Sequence, residues 1–393
     1  MTVYILENNL REYLGHFFNM TFGLKQGFEE SGQKCHVVIN SDASESVKLE
    51  LNGMPFFPDL SWPSQQKKNS KEAMMHYGSR YADALNKIPA PDSEDWLVVT
   101  TAFQDQIFGV AEFLKGIPRQ SRPRVLFYLH WSTWDDNSQR IEAWIEACRR
   151  LAEVASTDRY VLAVQNDELR DSFIRTINVP TVKWPVPMYY GRRQELQDRR
   201  NQTYPCVSVL GRNLERKGCN LLPGIIARVK LKLPRTRFTI QATRARQNLL
   251  RIMPGVEIVK GGSDMEDHLA TFQRTDVLLS PYRKEIYVDR TSGLFMEGAA
   301  FGCVHVVPAG TWLSQQIVEK KAVGKVFEEY TASSIASTLV ETLNNLEELA
   351  TIAPACADYW WEHQSTSAFV RRLLDLGPRV SPTSDHSVVE PFE

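Results

Sequence analysis

The 393 residues hold only six cysteines, at positions 35, 148, 206, 219, 303 and 356, and no two form a Cys-x-x-Cys pair. That scatter excludes the common zinc frames and a dense disulfide framework, and each thiol falls in or beside an apolar run, as reduced buried cysteines do. A surplus of charge is lacking too. Lys and Arg number 46 against 47 Asp and Glu, so the molecule as a whole carries no nucleic-acid footprint. No run of about 18 uncharged apolar residues exists, which excludes a spanning helix. The opening MTVYILENNLREYLG lacks the basic start and long apolar stretch of a secretory leader, so a cytoplasmic protein is expected. Three motifs are also missing. Without Gly-x-Gly-x-x-Gly after the first strand a dinucleotide oxidoreductase is disfavoured, and without Gly-Lys-Ser/Thr a P-loop NTPase is. Without Asp-x-Asp, and with Asp135-Asp136 far from other ligands in sequence, no metal site and no cofactor is expected.

What is present is rhythm. Short apolar runs at 3–6, 36–39, 96–100, 125–129 and 160–164 read as buried strands, with amphipathic helices at 16–31, 70–86, 104–115, 137–155 and 166–176 between them. Such alternation means parallel βαβ units with a sheet covered on both faces. The polar stretch 41–69 reads as an excursion. The segment 182–205, with three prolines and a charged run, reads as a linker. The pattern then restarts, with strands at 206–210, 238–241, 256–259, 276–280, 303–307 and 325–327. Helices are expected at 217–232, 244–251, 264–273, 292–302, 311–320 and 331–347. The expected fold class is therefore α/β, with two Rossmann-like doubly wound domains. Residues 1–187 form the first and 206–347 the second, joined by a linker at 188–205. Helices at 348–377 would cross back to the first domain, and the Pro/Ser-rich tail 378–393 would be disordered. Open α/β sheets bind ligands outside the carboxyl ends of their strands, so a cleft between the two domains is the expected site.

Two motifs fall at proposed strand ends. In VSVLGRNLERKG (207–218) a strand runs into Gly211, Arg212 and, at a helix start, Lys217. A guanidinium fork, an ammonium and a helix terminus could converge on one anion such as a diphosphate. The plainer reading is two solvated loop cations. In DRTSGLFMEGAAFG (289–302), Ser292 or Thr291 would cap a helix, Gly293 would let a ligand approach first-turn N–H groups, and Glu297 would lie one turn deeper. A carboxylate there could accept vicinal ribose hydroxyls, or simply stabilise the positive end of its own helix.

Together, GRNLERKG and Asp289-x7-Glu297, with Ala299-Ala300-Phe301-Gly302 and CVHVVPAG after them, resemble the donor-binding half of retaining glycosyltransferases of the GT-B fold, family 4-like. The resemblance covers most of the chain in rhythm and about 205–310 in motif. It implies that Arg212 and Lys217, with Ser292 and Gly293, bind the diphosphate of a nucleotide-sugar donor, and that Glu297 binds the ribose. The family's first Glu is Asp289 here, one methylene shorter, which bears on the contact to the donor sugar. On the N-terminal half, His130 at the end of VLFYLHW falls where the family places a His near the transferred sugar, so His130 and Asp289 are the catalytic candidates. Gly15 and His16 match the family's glycine loop at the cleft, though the family often has a second glycine where this chain has Leu14.

The implied activity is transfer of a hexose from a nucleoside-diphosphate sugar to a hydroxyl acceptor, with retention and without metal. Rival readings are a sugar-nucleotide epimerase of the same fold and a binding or scaffold protein without turnover. Residues 190–251 hold 15 Lys/Arg against three Asp/Glu. A solvated face explains that, and the sharper reading is weak peripheral contact with anionic lipid.

Overall fold

The computed structural model describes residues 1–13, 16–60, 70–131, 137–191, 204–211, 217–241, 250, 252–259, 265–288 and 290–376. Gly15, Arg212 and Asp289, the expected helix 244–251 save Leu250, and the tail from 377 lie outside them. The chain divides into two compact units, Met1–Pro187 with Phe369 onward, and Met188–Ala368.

The first unit is a seven-stranded parallel sheet. Its strands are β1 Thr2–Glu7, β2 Lys34–Asn40, β3 Met54–Phe57, β4 Trp96–Val99, β5 Arg124–Leu129, β6 Tyr160–Val164 and β7 Val182–Lys183. Their order is β3-β2-β1-β4-β5-β6-β7, so the winding reverses between β1 and β4. Helices α1 His16–Glu30, α2 Glu45–Leu51, α3 Lys71–Leu85, α4 Gln104–Lys115, α5 Ser138–Val154 and α6 Asp167–Ile177 supply the connections. Every residue of β4 and β5 is buried, which is why these strands, apart from Arg124 at the start of β5, read as unbroken apolar runs. From the C-terminal end, Phe369 packs against Tyr128 and Trp184, and the Arg372 guanidinium lies 4.6 Å over the Trp184 ring.

The stretch 41–69 is not a bare excursion. It holds α2 and β3, and β3 sits on the sheet edge, where Pro55 costs least because an edge strand has a free side. Likewise β7 occupies two residues of the segment read as linker, pairing with β6 at the opposite edge. Both elements are too short for their periodicity to be read.

The second unit is a six-stranded parallel sheet of order β10-β9-β8-β11-β12-β13, and its winding reverses between β8 and β11. The strands are β8 Cys206–Val209, β9 Arg237–Gln241, β10 Val256–Val259, β11 Val277–Leu279, β12 Val304–Pro308 and β13 Gly324–Phe327. Its helices are α7 Leu222–Lys232, α8 Met265–Gln273, α9 Lys284–Tyr287, α10 Gly293–Ala300, α11 Trp312–Val318, α12 Ala332–Asn344, α13 Leu346–His363 and α14 Thr366–Asp375, the last running on beyond Ala368. The helix expected from 217 begins instead at Leu222. Gly218 takes a left-handed φ of +73°, which no helix interior accepts, and Pro223 sits in the first turn, where its missing N–H is harmless. No helix among the described residues is long and apolar enough to cross a membrane.

Candidate functional site

In each unit the described candidate residues collect near the point where the winding reverses, at the carboxyl ends of the strands. There the two flanking connections leave in opposite directions and open a crevice.

In the second unit that point lies between β8 and β11. After β8 the chain turns at Gly211, with φ +91° and its N–H donated to the Gln241 side-chain oxygen at the end of β9. A methyl group at Gly211 would stand 2.6 Å from Leu294 Cδ1 and 2.9 Å from Lys217 Nζ. Glycine is therefore required by its dihedral, while the two neighbouring side-chain ends could give way. The same distances show that the Lys217 ammonium and the first turn of α10 flank one backbone position, so parts of the two sequence motifs do meet. Lys217 Nζ also lies 5.3 Å from the ring centroid of Tyr282, just beyond β11. An ammonium over a phenol face is attracted to it without being neutralised by it.

Helix α10 begins as its sequence suggests. Ser292 is its N-cap, and the Ser292 hydroxyl accepts from Phe295 N at 3.4 Å. The open approach expected at Gly293 is closed on one side. A methyl there would lie 3.3 Å from Met188 Cε, so the glycine makes room for Met188 as well. Glu297 is buried, with only 3% of its surface exposed, and its Oε1 lies 3.0 Å from His268 Nε2 on α8. A carboxylate so deep is stable only with a hydrogen-bonded or charged partner. The same charge acts on Tyr190. Burial first, then Glu297, push that phenol well above its ordinary pKa, and its hydroxyl donates to Gln364 O at 2.7 Å.

In the first unit the reversal lies between β1 and β4. Glu7 ends β1 and is 1% exposed. It accepts from Thr100 Oγ1 at 2.7 Å, Thr101 Oγ1 at 2.6 Å, Asn9 N at 2.9 Å and Asn9 Nδ2 at 3.0 Å. Burial pushes its carboxyl pKa up against the pull of those four bonds. His130 follows β5, buried, with Nε2 2.9 Å from Thr100 O. A carbonyl can only accept, so Nε2 carries the proton and Nδ1 is the acceptor of a neutral ring. Burial lowers the His130 pKa to about 4, although the bonds to Thr100 and Gln165 work the other way. His16, the first residue of α1, brings its ring centroid to 5.4 Å from that of His130 and 5.8 Å from that of Trp131. The structure thus joins His16 to His130, and ties His130 through Thr100 to Glu7, a residue the motifs do not mark.

All four Glu7 partners are donors, so Glu7→Gln turns an amide N–H₂ toward at least one of them. The substitution is expected to destabilise the fold by about 1 to 3 kcal/mol at pH 7, read as a lower urea midpoint. An unchanged midpoint would mean that the two threonine hydroxyls rotate freely to suit either side chain.

No family model and no curated protein sequence matches the chain. Solved structures do. Sucrose-phosphate synthase from Thermosynechococcus elongatus superposes with a TM-score of 0.66 at 13% identity, covering 96% of this chain and 98% of that one. A glycosyltransferase from Rickettsia africae gives 0.63 at 13%, covering 95% and 97%. Anabaena HepE, in complex with UDP, gives 0.62 at 12%, covering 95% and 99%. At such identities the likeness shows the fold, and that fold is GT-B, with two Rossmann-like units.

Proposed function

We propose that the chain is a glycosyltransferase that takes a nucleoside-diphosphate sugar on its C-terminal unit and transfers the hexose to a hydroxyl acceptor. The observation that carries this reading is the meeting of Lys217 with the first turn of α10 at Gly211, on the helix that buries Glu297 one turn further on. Anion and sugar groups are thereby offered on one short helix. One of the similar structures is a protein in complex with UDP, which favours a uridine donor as the first to test.

The chemistry follows from the charges. The bond between the anomeric carbon and the β-phosphate oxygen breaks, and negative charge builds on the departing diphosphate. Lys217, the N-terminus of α10 and, from its place in the motif, Arg212 stabilise that charge, a role a divalent ion would otherwise fill. Glu297 holds the ribose. The acceptor oxygen forms the new bond to the anomeric carbon and its proton passes to the leaving phosphate, so retention needs no separate enzyme base. A neutral His130 suits a hydroxyl of the transferred sugar better than it suits acid–base work. Asp289, by its place in the motif, would meet the same sugar.

Calorimetric titration with UDP, GDP and ADP, without metal and then with magnesium, tests the reading. One of the three should bind without metal. Glu297→Ala should then weaken that nucleotide by about 1.5 to 3 kcal/mol, the range for a hydrogen bond to a charged group, and its deoxyribose analogue by less. Absence of binding by all three would remove the donor site. Equal losses for ribose and deoxyribose would return Glu297 to a role in its helix alone.

A further inference from the structure

We infer that His268 is a positioning residue for the nucleotide site: it holds the Glu297 carboxylate in the orientation in which it receives a ribose hydroxyl. The inference rests on the nucleotide reading of Glu297 given above, and names a residue that neither sequence motif contains.

Geometry carries it. Glu297 stands in the second turn of α10 and His268 in the first half of α8, 29 residues apart in sequence, with Nε2 and Oε1 at 3.0 Å. The carboxylate is almost wholly buried, whereas the His268 side chain keeps about a third of its surface exposed, at 31%. The imidazole is therefore the more exposed member of the pair. Burial alone would disfavour its charge. The Glu297 carboxylate more than compensates, and the His268 pKa ends above its ordinary value. A buried carboxylate needs such a hydrogen-bonded partner.

The ring is also fixed in place. Its edge meets Phe272 one turn on along α8, with centroids at 5.2 Å, and Phe272 stacks in turn on Phe301 at 5.9 Å. Phe301 is the C-cap of α10, so the aromatic pair ties the helix that carries the histidine to the helix that carries the carboxylate. Leu269, beside His268 on α8, comes close to Gly191: its Cδ1 lies 2.9 Å from where a methyl on that glycine would be. Tyr190, a second titratable neighbour on which the Glu297 charge acts, gives its hydroxyl to Gln364 O. A side chain held this tightly sets the plane of the group it bonds, which is how an outer partner tunes a ligand-binding carboxylate.

The test separates positioning from simple packing. The probe is the tightest binder among UDP, GDP and ADP, paired with its 2′-deoxy form, titrated into the wild type, His268→Ala, His268→Gln and Glu297→Ala. His268→Ala should weaken the ribonucleotide about tenfold and the deoxy form no more than about twofold, narrowing the ratio between them as Glu297→Ala does. His268→Gln keeps an N–H donor and should restore most of that ratio. Should His268→Ala prove too unstable to titrate, His268→Gln and His268→Phe give the same comparison, with and without a donor. A ribose-to-deoxyribose ratio unchanged in the donor-less variants overturns the inference and leaves His268 a packing residue. If Glu297→Ala also leaves the ratio unchanged, or the wild type binds no nucleotide, the fault lies in the nucleotide reading itself and the inference goes with it.

Discussion

Gly218→Ala should destabilise the C-terminal unit by about 2 to 5 kcal/mol and take nucleotide binding with it. Two costs add. Gly218 sits at φ +73°, where an L-residue pays about 1 to 2 kcal/mol for the approach of Cβ to its own carbonyl. The added methyl would also lie 2.2 Å from Pro281 O and 2.8 Å from Pro281 Cβ. Neither neighbour is the end of a flexible side chain, so the loop or the end of β11 must shift, at about 1 to 3 kcal/mol. Pro281 precedes Tyr282, over which Lys217 lies, so the displacement falls on the ammonium proposed to bind phosphate. Gly32 supplies the control. Its φ is +74° and a methyl there would meet nothing within 4 Å, so Gly32→Ala isolates the dihedral cost. Urea midpoints of the two variants decide the point. Equal losses would show that the contact with Pro281 relaxes at no cost and that glycine is needed at 218 for its backbone alone.

The same loop shows how much could be read before the fold was known. The strand–glycine–lysine order put Gly211 and Lys217 at a sheet end because an apolar run, a turn residue and a helix start are all local signals. Helix α4 is bounded as its periodicity says, Gln104–Lys115, and β10 likewise, Val256–Val259. The elements that were missed, α2, β3, β7 and α9, are short or lie on a sheet edge, where neighbouring strands supply what the local sequence does not. At the candidate sites the legible residues were those in motifs. The illegible ones are partners across the chain, His268 to Glu297 at a separation of 29 and Glu7 to Thr100 at 93. Such pairs leave no trace in periodicity or spacing. Glu7 had one weak signal, an acid closing an otherwise apolar strand, which nothing distinguishes from an ordinary exposed strand end until the burial is known. Tyr282 had none, since a tyrosine after a strand is commonplace and only the position of Lys217 gives it a use.

His130 carries the second large effect, and it is a dependence on pH. In the folded chain the ring stays neutral down to about pH 4, whereas in the unfolded chain it takes up a proton near its ordinary pKa of 6.5. A depressed folded pKa means that the unfolded state binds the extra proton. The stability His130 confers is therefore complete above pH 6.5 and is lost as pH falls toward 4. At about 1.4 kcal/mol per pH unit the loss reaches about 3 kcal/mol. Carboxylates titrate over the same range, so the measurement is a difference. Urea stability of the wild type should fall from pH 7 to pH 4 by about 3 kcal/mol more than that of His130→Asn, in which the carboxylate contributions persist and the imidazole does not. The sign bears on mechanism. A histidine that resists protonation this far is a poor general acid at neutral pH, and its Nε2–H is already given to Thr100 O. What it can offer a ligand is a neutral ring, fixed in direction by the Thr100 and Gln165 bonds and, through Thr100, by the Glu7 cluster. Parallel pH curves for wild type and variant would instead mean that the ring reaches solvent and charges freely. His130 would then be available for proton transfer, and its assignment as a neutral ring would have to be given up.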